Sequence, residues 1–250
     1  MNAVYRETSL PEPTVGVSNP LPPWKRGLDL LCCAIALPLL AFCTLIMTVI
    51  IRLTSPGPVF FRQERVGLKG RRFMCYKFRT MKVRADTTVH QAYLAQLMRS
   101  GQPMTKMDAA NDSRLIPGAW ILRASGLDEL PQLINVLRGE MSLVGPRPCL
   151  PYEYEEYLPW QRNRFDAVPG LTGLWQVSGK NRTTFDEMIR YDVRYAREKS
   201  LLMDLRIMLM TLPALLIQIL DTRRGRKQGA APTDASTGVI APSPESRSTP

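Results

Sequence analysis

One apolar segment constrains this chain more than any other feature of its sequence. Residues 28–51 read LDLLCCAIALPLLAFCTLIMTVII and contain a single charged residue, Asp29. A straight helix over these 24 residues is about 36 Å long, enough to cross the roughly 30 Å hydrocarbon core of a bilayer. The length and purity of the segment disfavour a buried core helix, and a cleaved signal peptide would be shorter and closer to residue 1. The sequence therefore predicts a membrane-seated protein.

Pro38 lies inside this segment and complicates a simple span. Proline removes one backbone donor and crowds the carbonyl four residues back, so we expect the helix to kink or break there. Lys25 and Arg26 precede the segment, a longer run of basic residues follows it, and basic flanks favour the cytoplasm. A re-entrant hairpin and a kinked single span both fit these features. In either topology the larger C-terminal part is expected on the cytoplasmic side.

Charge and residue types narrow the chemistry. The chain has 33 basic and 22 acidic residues, a net charge of +11, which indicates an anionic partner: nucleic acid, anionic lipid or a phosphorylated substrate. The single histidine, His90, all but excludes Ser-His-Asp and Cys-His catalysis and multi-histidine metal sites. The five cysteines include no CxxC pair, so we expect a reducing compartment and no disulfide framework. An enzyme of this composition would rely on carboxylates, basic groups and a hard metal.

Composition divides the chain into four parts. Residues 1–24 hold five prolines, and residues 223–250 begin with a basic cluster and continue in Pro, Ser, Thr, Ala and Gly. Both ends bury too little apolar surface to offset chain entropy and are expected to be disordered. Residues 25–53 form the membrane segment, and residues 54–222 form the folded body.

A second apolar stretch covers residues 201–220, with Asp204 and Arg206 near its start and Pro213 inside it. This mixed polarity favours a helix in the membrane interface over a spanning one, and packing against the body is an equal alternative. The basic cluster directly after it would suit anionic lipid head groups.

Within the body, residues 73–81 alternate as a strand does, which places Lys77 and Arg79 on one face. Two cations on one strand face can grip a phosphate, although a solvated strand face gives the same pattern.

The apolar spacing after residue 129 predicts a helix that runs to about Arg138 and stops at Gly139. Pro131 is tolerated only in a first turn, which places the helix start near Leu127 or Asp128.

Asp128 and Glu129 therefore lie at the positive end of this helix. Simple capping explains such acids. The same position also suits an ionised nucleophile whose neighbour holds Mg²⁺, a hard ion that prefers carboxylate and phosphate oxygens.

Arg147 lies between Pro146 and Pro148, which stiffen its backbone. A rigidly held guanidinium suits bidentate phosphate binding, although an ordinary stiff loop would look the same. A further helix is predicted over residues 184–199, with capping-box spacing at its start and its polar residues, Asp192 among them, facing solvent.

Seven short segments occur in a fixed order along residues 25–220. They are Lys25-Arg26 leading into the Pro-broken apolar segment, Ser55-Pro56-Gly57-Pro58 with Phe60-Phe61, Gln63-Glu64-Arg65-Val66-Gly67, Tyr76-Lys77-Phe78-Arg79-Thr80-Met81, Leu127-Asp128-Glu129-Leu130-Pro131-Gln132, Leu143-Val144-Gly145-Pro146-Arg147-Pro148, and Pro169-Gly170-Leu171-Thr172-Gly173. Together they closely resemble the bacterial sugar transferase family, the monotopic phosphoglycosyl transferases. Each motif alone is weak, whereas seven in order are highly specific.

This resemblance implies an activity. Members take a nucleoside diphosphate sugar, usually UDP-linked, transfer the sugar-1-phosphate to undecaprenyl phosphate and release UMP, the first membrane step of surface glycan pathways such as exopolysaccharide or lipopolysaccharide biosynthesis. By resemblance, Asp128 is the nucleophile that forms a phosphosugar-enzyme intermediate in a ping-pong scheme, and Glu129 supports the Mg²⁺-dependent chemistry as a metal ligand.

The resemblance also implies a fold and a location. The expected fold is α+β and mostly helical: a small cytoplasmic domain on a re-entrant membrane helix broken at Pro38, with interfacial amphipathic helices, at the bacterial inner membrane. Family serines often precede that proline, but this chain has Leu37. Larger members carry an N-terminal multi-span domain that residues 1–24 cannot encode, so the minimal form is expected.

Phosphate or nucleotide binding is assigned to four cations, and one further acid is a site candidate. They are Lys77, Arg79, Arg123 and Arg147, and Asp204. The expected partners are the UDP-sugar, undecaprenyl phosphate and membrane lipids, with a homo-oligomer and downstream glycosyltransferases as further possibilities and no nucleic acid.

Two other functions compete with the enzyme. A non-catalytic membrane adaptor of the same fold could bind anionic lipid or a partner glycosyltransferase, but it has no need of the Asp128–Glu129 pair or Arg147. Nucleic-acid binding through the basic body is disfavoured by the apolar segment and by the lack of aromatics interleaved on a basic face.

Overall fold

The computed structural model describes residues 21–82, 88–104, 115–116, 119–180 and 182–229. Within these residues the protein is mostly helical with two small sheets, which confirms the predicted α+β class. The α-helices are α1 (Pro23–Thr54), α2 (Thr88–Ser100), α3 (Ala119–Ser125), α4 (Leu133–Arg138), α5 (Pro151–Glu156), α6 (Leu174–Val177), α7 (Phe185–Glu198) and α8 (Leu201–Gly229). Short 3₁₀ helices cover Leu68–Gly70, Leu127–Gln132 and Gln161–Asp166.

Helix α1 contains the apolar segment and presents most of it to the outside. Ile35, Leu45 and Leu53 are 72%, 65% and 81% exposed, while a narrow stripe that includes Cys33 and Ile51 packs on the body. This helix and residues 201–220 of α8 are both long and apolar enough to cross a membrane.

Helix α1 continues through Pro38 without interruption. Two separate half-helices are therefore not seen, and the re-entrant course of the chain stays a prediction.

The two sheets are small and differ in direction. They are formed by β1 (Phe60–Val66) with β2 (Arg72–Phe78), which are antiparallel, and by β3 (Ser142–Val144) with β4 (Gly170–Thr172), which are parallel. Beyond β3 the backbones approach closely: Gly170 N donates to Pro146 O at 2.9 Å, and Gly145 N donates to Thr172 O at 2.9 Å. A Cβ on Gly145 would lie 2.8 Å from Gly170 N, so this approach requires glycine.

The core forms three apolar clusters. One packs α1 on β2 and α4, a second joins β1 to α7, and a third joins β3 to α7 and α8. Apolar contacts therefore hold β3 against α7 and α8, and hold Leu171 of β4 against the cluster that contains α1.

The predicted helix after residue 126 ends as expected at Arg138, with Gly139 in the left-handed region at φ 78°. Its first part, Leu127–Gln132, is a 3₁₀ helix, which the sequence pattern did not predict. The ring of Pro131 would crowd the carbonyl of Leu127 in an α-helix, which favours the tighter winding.

Helix α7 confirms its predicted cap: Thr184 is the N-cap and exchanges hydrogen bonds with Glu187. The expectation that Asp192 faces solvent is wrong. Asp192 is buried and accepts a 2.5 Å hydrogen bond from Arg164, because the 3₁₀ helix Gln161–Asp166 packs on α7.

The predicted disordered ends lie largely outside the described residues, at positions 1–20 and 230–250. Where the chain is described, α1 begins at Pro23 and α8 continues to Gly229. The boundaries expected at residues 25 and 223 therefore do not coincide with helix ends.

Candidate active site

The Asp128–Glu129 pair lies on a tight turn that opens into a large cavity. Gly126 adopts φ 73° between α3 and the 3₁₀ helix, and Glu129 N donates to Gly126 O at 3.0 Å. The cavity has a volume of about 1690 Å³, and both acids line it. Both acids therefore lie in one site.

Cations surround Glu129. Lys77 Nζ donates to Glu129 Oε1 at 2.6 Å, and Lys77 is largely shielded from solvent. Burial raises the pKa of Glu129, but the positive charges of Lys77, Arg147 and Lys180 lower it by more, so the net pKa lies well below the usual value. Glu129 is therefore ionised at neutral pH.

The loop that presents Arg147 is held by buried cations at its backbone carbonyls. Arg164 Nη2 donates to Arg147 O at 2.8 Å, and Arg65 Nη1 donates to Pro148 O at 3.1 Å. Arg164 and Arg65 are both buried. These bonds fix the backbone of Arg147, whose side chain remains in the lining of the cavity.

A second buried network holds the start of the same loop. Lys25 Nζ forms an ion pair with Asp204 and donates to Val144 O at 2.9 Å. Tyr195 OH donates to Asp204 Oδ1 at 2.8 Å and also lies 3.0 Å from Val144 O. The N-terminus of α1, the N-terminus of α8 and β3 therefore meet at one polar point inside the protein.

The structure brings most of the predicted site residues together. Those that line the cavity are Lys77, Arg79, Arg123, Asp128, Glu129 and Arg147. Asp204, the further candidate, is fully buried in the Lys25 network instead, and Pro38 lies within α1.

Arg79 does not share the direction that strand alternation predicted. Strand β2 ends at Phe78, and the guanidinium of Arg79 donates to Ser55 O at 2.9 Å and to Pro56 O at 2.8 Å. Lys77 points instead to Glu129. Lys77 and Arg79 therefore do not form one phosphate-binding pair. Arg79 instead holds the end of α1 against the body through hydrogen bonds.

Two cations of the recess beside Glu129 were not assigned from the sequence. Arg65 and Lys180 line the cavity, and both also line a small recess beside Glu129 with Lys77 and Arg147. Arg65 belongs to one of the motifs quoted above, so the sequence could have indicated it as a site residue. Lys180 stands in a turn-rich stretch that contains no periodic pattern, and only the fold reveals its place.

Part of the cavity lining is apolar and comes from α1 and α8, the two helices that are long and apolar enough to cross a membrane. Cys32 and Ala36 of α1 contribute to it, as do Met208, Leu215 and Ile217 of α8. One cavity therefore joins a charged region to the helices that are long and apolar enough to cross a membrane.

Carboxylates line the cavity, and the sequence assigns the role of metal ligand to one of them, Glu129. Among the described residues, no group of three or more His, Cys, Asp and Glu side chains is placed to hold an ion. Mg²⁺ commonly uses one or two protein carboxylates and takes its other ligands from phosphate and water. The Glu129 oxygen not engaged by Lys77 fits such an ion.

Comparison with known proteins decides the family. The family model described as bacterial sugar transferase matches residues 22–218, which span both the charged and the apolar linings of the cavity. The chain belongs to this family. The assignment made from the seven motifs is thereby confirmed.

Several relatives of known name are similar to the chain. The exopolysaccharide production protein ExoY of Sinorhizobium fredii is 35% identical over 214 residues, 86% of this chain and 92% of that protein. The UDP-glucose:undecaprenyl-phosphate glucose-1-phosphate transferase of Caulobacter vibrioides is 42% identical over 200 residues, 77% of this chain and 69% of that protein. The galactosyl transferase CpsE of Streptococcus agalactiae is 41% identical over 194 residues, 77% of this chain but 42% of that protein.

Proposed function

We propose that this chain transfers a sugar-1-phosphate from a UDP-sugar to undecaprenyl phosphate and releases UMP. One observation carries the proposal: Asp128 and Glu129 lie among cations in a cavity that is also lined by the apolar helices α1 and α8. A water-soluble anionic donor and a lipid-linked anionic acceptor need such a cavity. A relative that is 42% identical bears the name of a glucose-1-phosphate transferase with undecaprenyl phosphate as acceptor.

In the first step, a carboxylate oxygen of Asp128 attacks the sugar-bearing phosphorus of the donor. The new bond joins Asp128 to that phosphorus, the bond from phosphorus to the bridging oxygen breaks, and UMP leaves with the electron pair. Lys77 and Arg147 compensate the charge of the phosphates, which is the main demand of phosphoryl transfer. No general base is required, in agreement with a chain that has one histidine.

In the second step, a phosphate oxygen of undecaprenyl phosphate attacks the same phosphorus. The bond to Asp128 breaks, its carboxylate is restored, and the product is the undecaprenyl diphosphate sugar. The apolar lining from α1 and α8 would hold the first part of the lipid chain. This order of release and attack constitutes a ping-pong mechanism.

Glu129 would hold Mg²⁺, which supplies further neutralisation of phosphate charge when it is bound. The cations of the site position Glu129 and the phosphate-binding side chain. Lys77 keeps Glu129 ionised and in place, and the carbonyl contacts from Arg164 and Arg65 keep Arg147 directed at the cavity.

The test is an assay of the full chain in detergent or nanodiscs with Mg²⁺, a panel of UDP-sugars and undecaprenyl phosphate. Wild type is expected to release UMP and to label the lipid with one of the sugars. Asp128→Asn should abolish both, since a neutral amide cannot form the phosphosugar intermediate. Asp166→Asn is the matched control, because Asp166 is an exposed acid whose ion pair with Lys69 lies on the surface.

Two outcomes would contradict the proposal. Folded Asp128→Asn that keeps near-normal turnover would exclude Asp128 as the nucleophile. Wild type that binds anionic vesicles but turns over no UDP-sugar would favour the adaptor.

The proposed topology places the catalytic body on the cytoplasmic face of the inner membrane, with α1 entering and leaving on that side. Cysteine labelling in a variant without natural cysteines tests it, using Pro20→Cys and Phe60→Cys. Both positions should react only with a probe that has access to the cytoplasm. Labelling from opposite sides would establish a true span.

A further inference from the structure

Helix α8 carries one polar amide in a long apolar stretch. Residues 212–220 read LPALLIQIL, and Gln218 is the only polar side chain among them. An isolated amide there is costly to bury unless it is hydrogen-bonded. We therefore expect Gln218 to have a hydrogen-bonding partner in the body of the protein.

Gln218 is partly buried and uses both ends of its amide. Its Nε2 donates to Ala124 O at 2.9 Å and to Arg123 O at 3.3 Å. Its Oε1 accepts from Lys180 Nζ at 3.0 Å. The side chain therefore joins α8, the end of α3 and the loop that follows α6.

The two carbonyls that Gln218 binds belong to the last turn of α3, where the helix itself offers no donor. The single hydroxyl hydrogen of Ser125 serves the carbonyls before these, since Ser125 Oγ lies 2.8 Å from Ile121 O and 3.2 Å from Leu122 O. Gln218 Nε2 donates to the next two carbonyls, those of Arg123 and Ala124. The chain then turns at Gly126 towards Asp128.

The same face of α8 makes other contacts around the turn. Leu215 Cδ2 lies 3.5 Å from the position that a Cβ on Gly126 would occupy. Thr211 Oγ1 lies 2.8 Å from Thr172 Oγ1. Positions 211, 215 and 218 recur at helical spacing, so one face of α8 follows the edge of the site.

We propose that Gln218 is a positioning residue for Asp128, acting from the apolar helix α8 through the carbonyls of α3; this inference rests on the proposed function. Gln218 fixes the end of α3 and hence the direction of the Gly126 turn. The opposite face of α8 exposes apolar side chains such as Leu216, at 62%. Gln218 therefore links the position of α8 to that of the nucleophile.

The test replaces Gln218 with methionine, which keeps the length of the side chain but neither donates to a carbonyl nor accepts well from a lysine. Misplacement of a reacting group by about 1 Å costs on the order of 10²-fold in rate. We expect kcat for UMP release to fall about 10- to 100-fold in Gln218→Met. The KM for the UDP-sugar should change less than about twofold, because Lys77, Arg147 and the positive charge of Lys180 are all retained, although Lys180 loses one acceptor.

Three companion variants separate positioning from other effects. Leu216→Met makes a similar change on the exposed face of α8 and should behave as wild type. Gln218→Glu keeps the acceptor for Lys180 but loses the donor to Arg123 O and Ala124 O, so it should lose kcat as methionine does. Lys180→Met removes a cation near Glu129 and should raise KM.

The results are compared below the unfolding midpoint of each variant. Gln218→Met with kcat within twofold of wild type overturns the inference and leaves the proposed function intact. A parallel rise of KM, as in Lys180→Met, overturns it too, because the effect would then pass through the phosphate site. If wild type releases no UMP, the proposed function fails and this inference falls with it.

Discussion

The buried ion pair between Lys25 and Asp204 gives a prediction that can be worked out in magnitude. Lys25 is 2% exposed and Asp204 is 0% exposed. Lys25→Met leaves the carboxylate of Asp204 buried with Tyr195 as its remaining partner, and removes a donor to Val144 O. Breaking a buried pair in this way costs about 3–5 kcal/mol.

This cost is large enough to measure by thermal unfolding in one detergent at one scan rate. For a chain of this size, each kcal/mol moves the midpoint by roughly 2–4 °C, so we expect a fall of about 6–20 °C. The double variant Lys25→Met/Asp204→Leu should recover most of the loss, because an apolar pair carries no desolvation cost.

The control is Lys69→Met, which breaks a surface pair with Asp166 whose side chains are 63% and 53% exposed. Surface pairs contribute about 0–1 kcal/mol, so its midpoint should hardly move. A shift in Lys25→Met no larger than that of Lys69→Met would refute the role given to the buried network.

Two other predictions concern the charge at Glu129 and the glycine contact beside Arg147. Lys77→Met removes a positive charge that opposes the effect of burial on Glu129, so the pKa of Glu129 should rise. The acidic limb of the pH profile for UMP release should then move to higher pH. A pH profile of unchanged shape would contradict this prediction. Gly145→Ala places a methyl group 2.8 Å from Gly170 N and should lower the free energy of unfolding by about 1–3 kcal/mol. Chemical denaturation measures the loss, and an unchanged midpoint would show that the backbones can separate freely.

Features governed by neighbouring residues were predictable from the sequence. The end of α4 at Gly139 and the cap at Thr184 follow from backbone preferences and from one side chain bonding an amide three residues away. The apolar character of α1 follows from composition alone. That Asp128, Glu129 and Arg147 lie in one site was predicted through the family resemblance alone. Arg147 is distant from the two acids in the sequence, and each of these residues is ambiguous when read singly.

Features governed by distant partners could not be found in this way. Asp192 is buried because Arg164, 28 positions away, provides a charge and a donor. Arg79 is held away from Lys77 because a carbonyl at the end of α1, 24 positions earlier, accepts its hydrogen bond. Periodicity describes which face of an element is apolar, but it does not show which polar group another element brings to it.

The central claim is that Asp128 carries the sugar phosphate between donor and acceptor. It is tested most directly by mixing wild type with the UDP-sugar that supports turnover, without undecaprenyl phosphate, quenching the reaction and measuring the mass of the peptide that contains Asp128. The account predicts a gain of one sugar phosphate on Asp128, released on addition of the lipid acceptor and absent in Asp128→Asn. An active enzyme whose peptide never gains that mass, with UMP formed only when both substrates are present, would contradict it.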